Sequence, residues 1–264
     1  LRIRPPPRST PLTCRRQRQM CIRDRFNAEV GFVRRTGTFG IGTFRSQYII
    51  YPEKGPIVTI RPGVEFDLTY KPGNILADRQ AAGTLEINFK NTSTFRTNLS
   101  QQYTLLFDDF DPTRTDGEEL PEGSDYNYLF GSVSYDSDNR KIFNYSLSAQ
   151  YGQFYNGLKF TGVSQVGLKF RPYGSVSVSA VYNDVRLPDP YNSTSFWIIS
   201  PRLDLTFTNK LFLTTFVQYN EQAENMNINA RFQWRFAPVS DLFIVYTDNY
   251  LPTDYMTKYR SLVL

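Results

Sequence analysis

The chain has 264 residues, 40% of them hydrophobic and 16% aromatic, with a formal net charge of +5 and no histidine. The absence of histidine excludes Ser-His-Asp and Cys-His catalysis and removes the commonest metal ligand. A mean hydropathy of −0.43 argues against a transmembrane helix, although membrane-spanning strands of alternating polarity average to similar values.

The positive charge is concentrated at the N-terminus. Residues 1–25 hold eight arginines and one acid, a net of +7, whereas the rest of the chain carries a net of −2. Both cysteines, Cys14 and Cys21, are also in this head, and its end, RQMCIRDR, resembles translated adapter read-through at the edges of assembled environmental (metagenomic) sequences. We interpret 1–25 as a non-native or disordered basic head and 26–264 as the domain that folds. The alternative, an arm that binds nucleic acid, is not adopted, and no nucleic-acid partner is predicted.

Alternation of polar and apolar residues predicts β-strands along most of the chain. In MNINARFQWRF at 226–236 every second residue is apolar and the others are Asn, Arg or Gln, which is typical of a strand with two unlike faces. We expect Met226, Ile228, Phe232 and Trp234 to point outward. In chain order the predicted strands span 43–51, 56–70, 82–90, 94–107, 125–135, 141–152, 158–171, 175–186, 194–207, 210–220, 226–236, 241–248 and 257–264.

The predicted connections alternate in length. Short turns fall at 136–140, 172–174, 208–209 and 237–240, and mostly longer loops fall at 108–124, 153–157, 187–193, 221–225 and 249–256. Outer-membrane barrels combine short periplasmic turns with long outer loops. The sequence therefore predicts an all-β protein: an antiparallel up-and-down transmembrane β-barrel in the bacterial outer membrane, in contact with the lipid bilayer and incomplete at about 13 strands.

Charged residues on the polar positions of these strands are candidates for the barrel lumen. Both signs occur, as a packed or water-filled lumen requires; for any single strand, the alternative is a solvated sheet face. The candidates for lumen-facing residues are Lys169, Arg171, Arg202, Asp204, Arg231 and Arg235.

The acidic segment DDFDPTRTDGEELPEGSD at 108–125 is the main candidate for other chemistry. We interpret it as a solvated surface loop. The alternatives are a calcium-stabilised loop at 108–119 and a glycosidase-like acid pair, although the spacing does not match an EF-hand. The glycines of TGTFGIG at 36–42 lack the strand-loop-helix context of a phosphate site. No catalytic residue and no cofactor other than this calcium ion is predicted.

Aromatic residues near loops could contact sugars, because carbohydrates stack on aromatic faces. The candidates are Phe154, Tyr155, Tyr191 and Trp197. The alternative is an interfacial aromatic girdle, or a turn that packs against its own strands.

Four segments resemble a bacterial family: FNAEVGFVRRTG at 26–37, GQFYNG at 152–157, LFLTTFVQYNEQAENMNINARFQWRFAPVSDLFIVYTD at 211–248 and KYRSLVL at 258–264. They are similar to the C-terminal barrel-like region of proteins in which a carbohydrate-binding family 9-like domain precedes a domain of unknown function, numbered 5916. The resemblance implies an outer-membrane-associated barrel in a larger exported protein of Bacteroidetes-like bacteria. The resemblance does not imply any catalytic residues. It implies that the sugar-binding domain is missing and that the chain is a fragment whose last strand continues past Leu264.

We therefore expect a non-enzymatic outer-membrane barrel domain that is the anchor or pore for a missing carbohydrate-binding domain. Its partners would be lipid, carbohydrate through that other domain, and the cell's barrel assembly machinery. Two alternatives stay open at this point. A carbohydrate-active hydrolase on a β scaffold needs two carboxylates about 5 to 10 Å apart in a cleft. A soluble all-β binding domain needs an outward surface of charged residues.

Overall fold

The computed structural model describes residues 38–251 and 257–263, so the predicted head at 1–25 and the segment at 26–37 lie outside the described residues. In the described ranges the chain forms strands and connections without a helix, and hence no helix that could span a membrane is found there. The strands are β1 (Phe39–Gln47), β2 (Ile57–Lys71), β3 (Ile75–Phe89), β4 (Thr94–Leu105), β5 (Asp125–Asp136), β6 (Phe143–Phe154), β7 (Gly157–Phe170), β8 (Gly174–Arg186), β9 (Thr194–Thr208), β10 (Leu211–Asn220), β11 (Asn225–Ala237), β12 (Ser240–Tyr250) and β13 (Thr257–Val263).

All 13 strands belong to one antiparallel sheet in which each strand pairs with its neighbours in sequence. This confirms the predicted all-β, up-and-down architecture. Within the described residues β1 and β13 do not pair with each other, so the sheet is not closed. Each edge strand therefore presents one row of backbone groups without a strand partner in the described sheet.

The pairing register gives the sheet two unlike faces, because directly paired residues point to the same side. Phe232 on β11 pairs with Leu213 on β10 and with Ile244 on β12. Following the register from strand to strand extends this apolar face across β2 to β12. Its members include Val64, Leu99, Val133, Leu147, Val166, Val178, Ile199, Leu213, Phe232 and Ile244. The opposite, polar face carries most of the charged side chains of the strands.

The apolar face is the exposed one. Leu99 is 57% exposed, Leu147 48% and Trp234 45%. In contrast, the apolar side chains that are buried among the described residues are few, and most belong to the polar face or to connections, as Val185, Leu120 and Tyr128 do. The described chain therefore has no ordinary hydrophobic core behind its apolar face.

Alternate connections lie at opposite ends of the sheet, as predicted. One end, the loop end, carries the connections 106–124 (β4–β5) and 187–193 (β8–β9); the other, the turn end, carries two-residue connections at 209–210 and 238–239. The β6–β7 connection, predicted at 153–157, is shorter than predicted. It consists of Tyr155 and Asn156, because Tyr155 adopts a left-handed conformation with φ of 51° that turns the chain tightly.

Candidate functional site

Four charged side chains form a row across the polar face from β2 to β5. The Arg61 Nη1 lies 3.3 Å from Glu86 Oε1, Arg96 Nε lies 3.1 Å from Glu86 Oε2, and Arg96 Nη1 lies 2.6 Å from Asp136 Oδ2. The register causes this arrangement, because Glu86 pairs directly with both Arg61 and Arg96. We call these four residues the ion ladder.

Neutral side chains donate further hydrogen bonds to both carboxylates of the ion ladder. Asn88 Nδ2 donates to Glu86 Oε1 at 2.7 Å, and Ser146 Oγ donates to Asp136 Oδ1 at 2.6 Å. Two cations and two anions cancel, so the ladder carries no net charge. Partly exposed ion pairs of this kind contribute at most about 1 kcal/mol each. The ladder is thus better suited to holding strands in register than to binding an ion.

A second charged group spans β9 to β12 on the same face. Arg202 binds Asp204 through two hydrogen bonds of 2.8 and 3.1 Å, and Thr214 Oγ1 donates to the same carboxylate at 3.0 Å. Arg235 Nε lies 3.1 Å from Asp241 Oδ1. Arg231 pairs with Thr214, and its guanidinium lies 5.9 Å from the centre of the Phe243 ring. Carboxylates that bind arginines in this way are poor general acids, because they are stabilised in the ionised form.

The structure places five of the six predicted lumen residues on the polar face: Lys169, Arg202, Asp204, Arg231 and Arg235. The sixth, Arg171, lies just beyond β7 in the turn to β8, where its Nη2 donates to the carbonyl oxygen of Arg140 at 3.0 Å. Lys169 donates to the carbonyl oxygen of Asn139 in the same β5–β6 connection. These two cations therefore join the end of β7 and the β7–β8 connection to the β5–β6 connection at the turn end.

At the loop end of the polar face, Tyr155 is the centre of an aromatic cluster. Its ring centroid lies 4.8 Å from that of Phe154, 5.3 Å from Tyr126, 5.6 Å from Tyr128 and 5.7 Å from Phe110. Phe154 and Tyr155, predicted as sugar contacts, thus pack against other rings of the protein.

The other two candidates for sugar contact lie elsewhere. Trp197 is on the apolar face, 46% exposed, with its ring 4.8 Å from that of Tyr182. Tyr191 belongs to the β8–β9 connection. Because Phe154 and Trp197 belong to opposite faces of the sheet, the structure does not bring the four aromatic residues together into one site.

The acidic β4–β5 connection is ordered by its own hydrogen bonds. The Asp111 carboxylate accepts bonds from Thr113 N at 2.7 Å, Thr113 Oγ1 at 2.6 Å and Thr115 N at 2.8 Å. Burial alone would raise the pKa of Asp111, but these bonds outweigh it and hold the pKa below its ordinary value. Phe110 and Leu120 pair through two backbone hydrogen bonds, which fold the connection back on itself.

Both oxygens of Asp111 are thus occupied by hydrogen-bond donors from the connection itself. In residues 38–251 and 257–263 no three His, Cys, Asp or Glu side chains gather as a metal site requires. The calcium ion at 108–119 stays a prediction.

The β4–β5 connection also contacts distant connections at the loop end, which the sequence did not reveal. Gln222 Nε2, between β10 and β11, donates to Thr113 O at 2.6 Å, and Asn192 Nδ2, between β8 and β9, donates to Thr115 Oγ1 at 3.1 Å. No motif or spacing signals such contacts, because the partners are separated by 77 residues or more.

Comparisons of the chain with family models, with curated proteins and with solved structures found no match. The resemblance of the four segments named above therefore stays a prediction.

Proposed function

We propose that the chain is the membrane-embedded barrel domain of a bacterial outer-membrane protein, with its apolar face against lipid and its polar face toward the interior. The observation that carries this proposal is the exposure of large apolar side chains along one face from strand to strand. Soluble monomers rarely expose contiguous apolar patches larger than a few hundred Å². Lipid would remove this surface from water without any further protein layer.

The distribution of charge supports the same orientation. An arginine near the membrane midplane on the lipid side costs about 2 to 4 kcal/mol. Most arginines of the strands belong to the polar face, among them Arg61, Arg96, Arg202, Arg231 and Arg235, and most of these contact a carboxylate. The arginines at positions of the apolar face lie near the loop end, away from the middle of the strands: Arg79, Arg186 and Arg260. In a closed barrel the outer edges of β1 and β13 would be paired, directly or through further strands, because unpaired backbone groups in lipid cost several kcal/mol each.

The role of such a domain follows from the resemblance described above. We assign it the non-enzymatic task of an anchor or pore for a carbohydrate-binding domain, in a protein that the barrel assembly machinery inserts into the outer membrane. Contact with sugar would then be made by the other domain. This is consistent with the observation that the four aromatic candidates of the present chain do not form one site.

Tryptophan fluorescence tests the membrane assignment directly. The chain has two tryptophans, Trp197 and Trp234, and both are exposed on the apolar face. In vesicles whose acyl chains are brominated, we expect strong quenching of both, and weak quenching by aqueous acrylamide. A matched control moves the fluorophore to the polar face: Gln233→Trp combined with Trp197→Phe and Trp234→Phe should reverse the pattern.

The opposite result for the native tryptophans, acrylamide quenching without bromine quenching, would overturn the assignment. It would favour the soluble all-β binding domain, in which both tryptophans stay accessible to water.

A further inference from the structure

The β4–β5 connection, residues 106–124, crosses the loop end of the polar face; we call it the lid. It leaves the sheet after β4 and returns at β5, yet it hydrogen-bonds to the β8–β9 and β10–β11 connections. Along the sheet β5 and β10 are five strand spacings apart, or roughly 24 Å at about 4.8 Å per spacing. A loop that only connects β4 to β5 does not require contacts at this distance.

The lid is exposed at many positions but is packed against the protein at a few. Leu120 is fully buried, Thr113 is 1% exposed, and Leu106 is buried as well. Phe110 contacts Tyr155 of the aromatic cluster, which also contains Tyr126 and Tyr128 of β5 and Phe154 of β6. Because Tyr126, Tyr128 and Phe154 are on the polar face, the lid lies over that face and not over the apolar one.

The far side of the lid is held by polar contacts. Besides the bonds from Gln222 and Asn192, Gly117 is so close to Asn192 that a Cβ added at Gly117 would lie 3.2 Å from the Asn192 Cβ. The lid is therefore attached at both sides of the loop end: by ring packing near β5 and β6, and by hydrogen bonds near β8 to β11.

We propose that the lid closes the loop end of the barrel interior to solutes, so that the domain is an anchor with a closed mouth rather than an open pore. This inference rests on the proposed function for one point, that the polar face lines the interior of a barrel. The packing of the lid on the polar face does not depend on a membrane.

A disulfide tests the position of the lid. In a Cys14→Ser, Cys21→Ser background, the pair Gly117→Cys and Asn192→Cys places two Cβ atoms near the roughly 3.5 to 4.5 Å that a disulfide requires. We expect nearly complete oxidation, detected by mobility on a non-reducing gel and by mass spectrometry. The control pair Gly123→Cys and Asn192→Cys, at the base of the lid, should stay largely reduced. Equal oxidation of both pairs would overturn the assigned position.

Chemical modification tests closure. Asn183 and Ser177 both lie on β8, on the polar face and half-buried, but Asn183 is near the loop end and Ser177 near the turn end. In the same cysteine-free background, each is changed to Cys and reacted with a bulky charged maleimide. Replacing 108–122 by a short Gly-Ser turn should raise the reaction rate at position 183 about 5-fold or more, and leave position 177 within about twofold.

Unchanged rates at both positions after lid replacement would overturn the proposal. Both tests are performed in detergent, so they are independent of the bromine-quenching result. A closed lid without bromine quenching would refute the membrane assignment alone, whereas bromine quenching with an open mouth would refute the lid alone.

Discussion

The hydroxyl of Thr92, in the connection between β3 and β4, donates a hydrogen bond to Asp138 Oδ1, in the connection between β5 and β6, at 2.9 Å. Asp138 is almost fully buried, and it also accepts bonds from Arg140 Nε at 3.0 Å and Arg140 N at 2.9 Å. One carboxylate thus joins two neighbouring connections at the turn end of the sheet.

Asp138 gives a prediction about pH. The hydrogen bonds from the Arg140 side chain and backbone, followed by the one from Thr92, hold the pKa of Asp138 far below its ordinary value. A depressed pKa contributes stability that is present above the unfolded-state value of about 3.9 and is lost as the pH falls through the folded-state pKa. Asp138→Asn should therefore lower Tm near pH 7, and the difference from the native chain should shrink steadily below about pH 4.

Thermal unfolding in detergent between pH 2 and pH 7 would measure this difference. Glu53→Gln, at an exposed acid of the β1–β2 connection, is the control and should leave Tm near pH 7 unchanged. A constant difference across the whole range would show that Asp138 acts through packing and not through its charge.

Arg96 gives a prediction about the ion ladder, because it contacts two carboxylates at once. Arg96→Met should lower the free energy of unfolding by roughly 1 kcal/mol, the sum expected for two partly exposed pairs. Arg45→Met breaks a single, longer pair of 3.8 Å with Glu65 and should cost less. A double-mutant cycle of Arg96→Met with Asp136→Asn would isolate the pair, and a coupling energy of zero would contradict its role.

Gly152 gives a prediction about backbone packing. It has a φ of 156°, and a Cβ at this position would lie 2.4 Å from the Cα of Phe130 on the paired strand β5. Gly152→Ala must push β5 and β6 apart and should destabilise the sheet by about 1 to 3 kcal/mol. Gly83→Ala, at a strand glycine with no atom within 4 Å of the added Cβ, is the matched control and should be neutral or stabilising in a urea titration.

Phe232 gives a prediction about membrane assembly. Phe232→Arg places a charge on the apolar face, whereas Asn229→Arg places it on the polar face of the same strand. We expect Phe232→Arg to reduce membrane insertion strongly, in line with a cost of about 2 to 4 kcal/mol, and Asn229→Arg to have little effect. Flotation of vesicles after refolding measures insertion. Equal losses would contradict the assignment of the faces.

Much of the fold could be predicted from the sequence, because strict alternation is a local signal. The start of β3 shows where that signal fails. The structure extends β3 from Ile75, but the sequence predicts a strand only from residue 82. Arg79 occupies a position of the apolar face there and lies over the Tyr103 ring, 5.9 Å from its centre, so the pattern of alternation is broken.

The candidate site was less predictable, because it depends on register and on contacts between distant loops. The alternation of residues in β3 predicts that Glu86 lies on the polar face. Its contacts with Arg61 and Arg96 depend on the pairing of three strands, which the alternation does not specify. The acidic loop was recognised, yet its burial at Thr113 and its bond to Gln222 follow from tertiary packing alone. Such contacts between distant loops cannot be predicted from the spacing of residues in the sequence.

The ion ladder has a consequence for how the strands find their correct neighbours. If β3 slipped by one residue, Glu86 would move to the opposite face, so that Arg61 would lose its carboxylate partner and Arg96 would keep only Asp136. A misaligned hairpin would also expose a carboxylate where the apolar face should be. The charges of β2 to β5 thus favour the observed alignment of these strands over one shifted by a single residue.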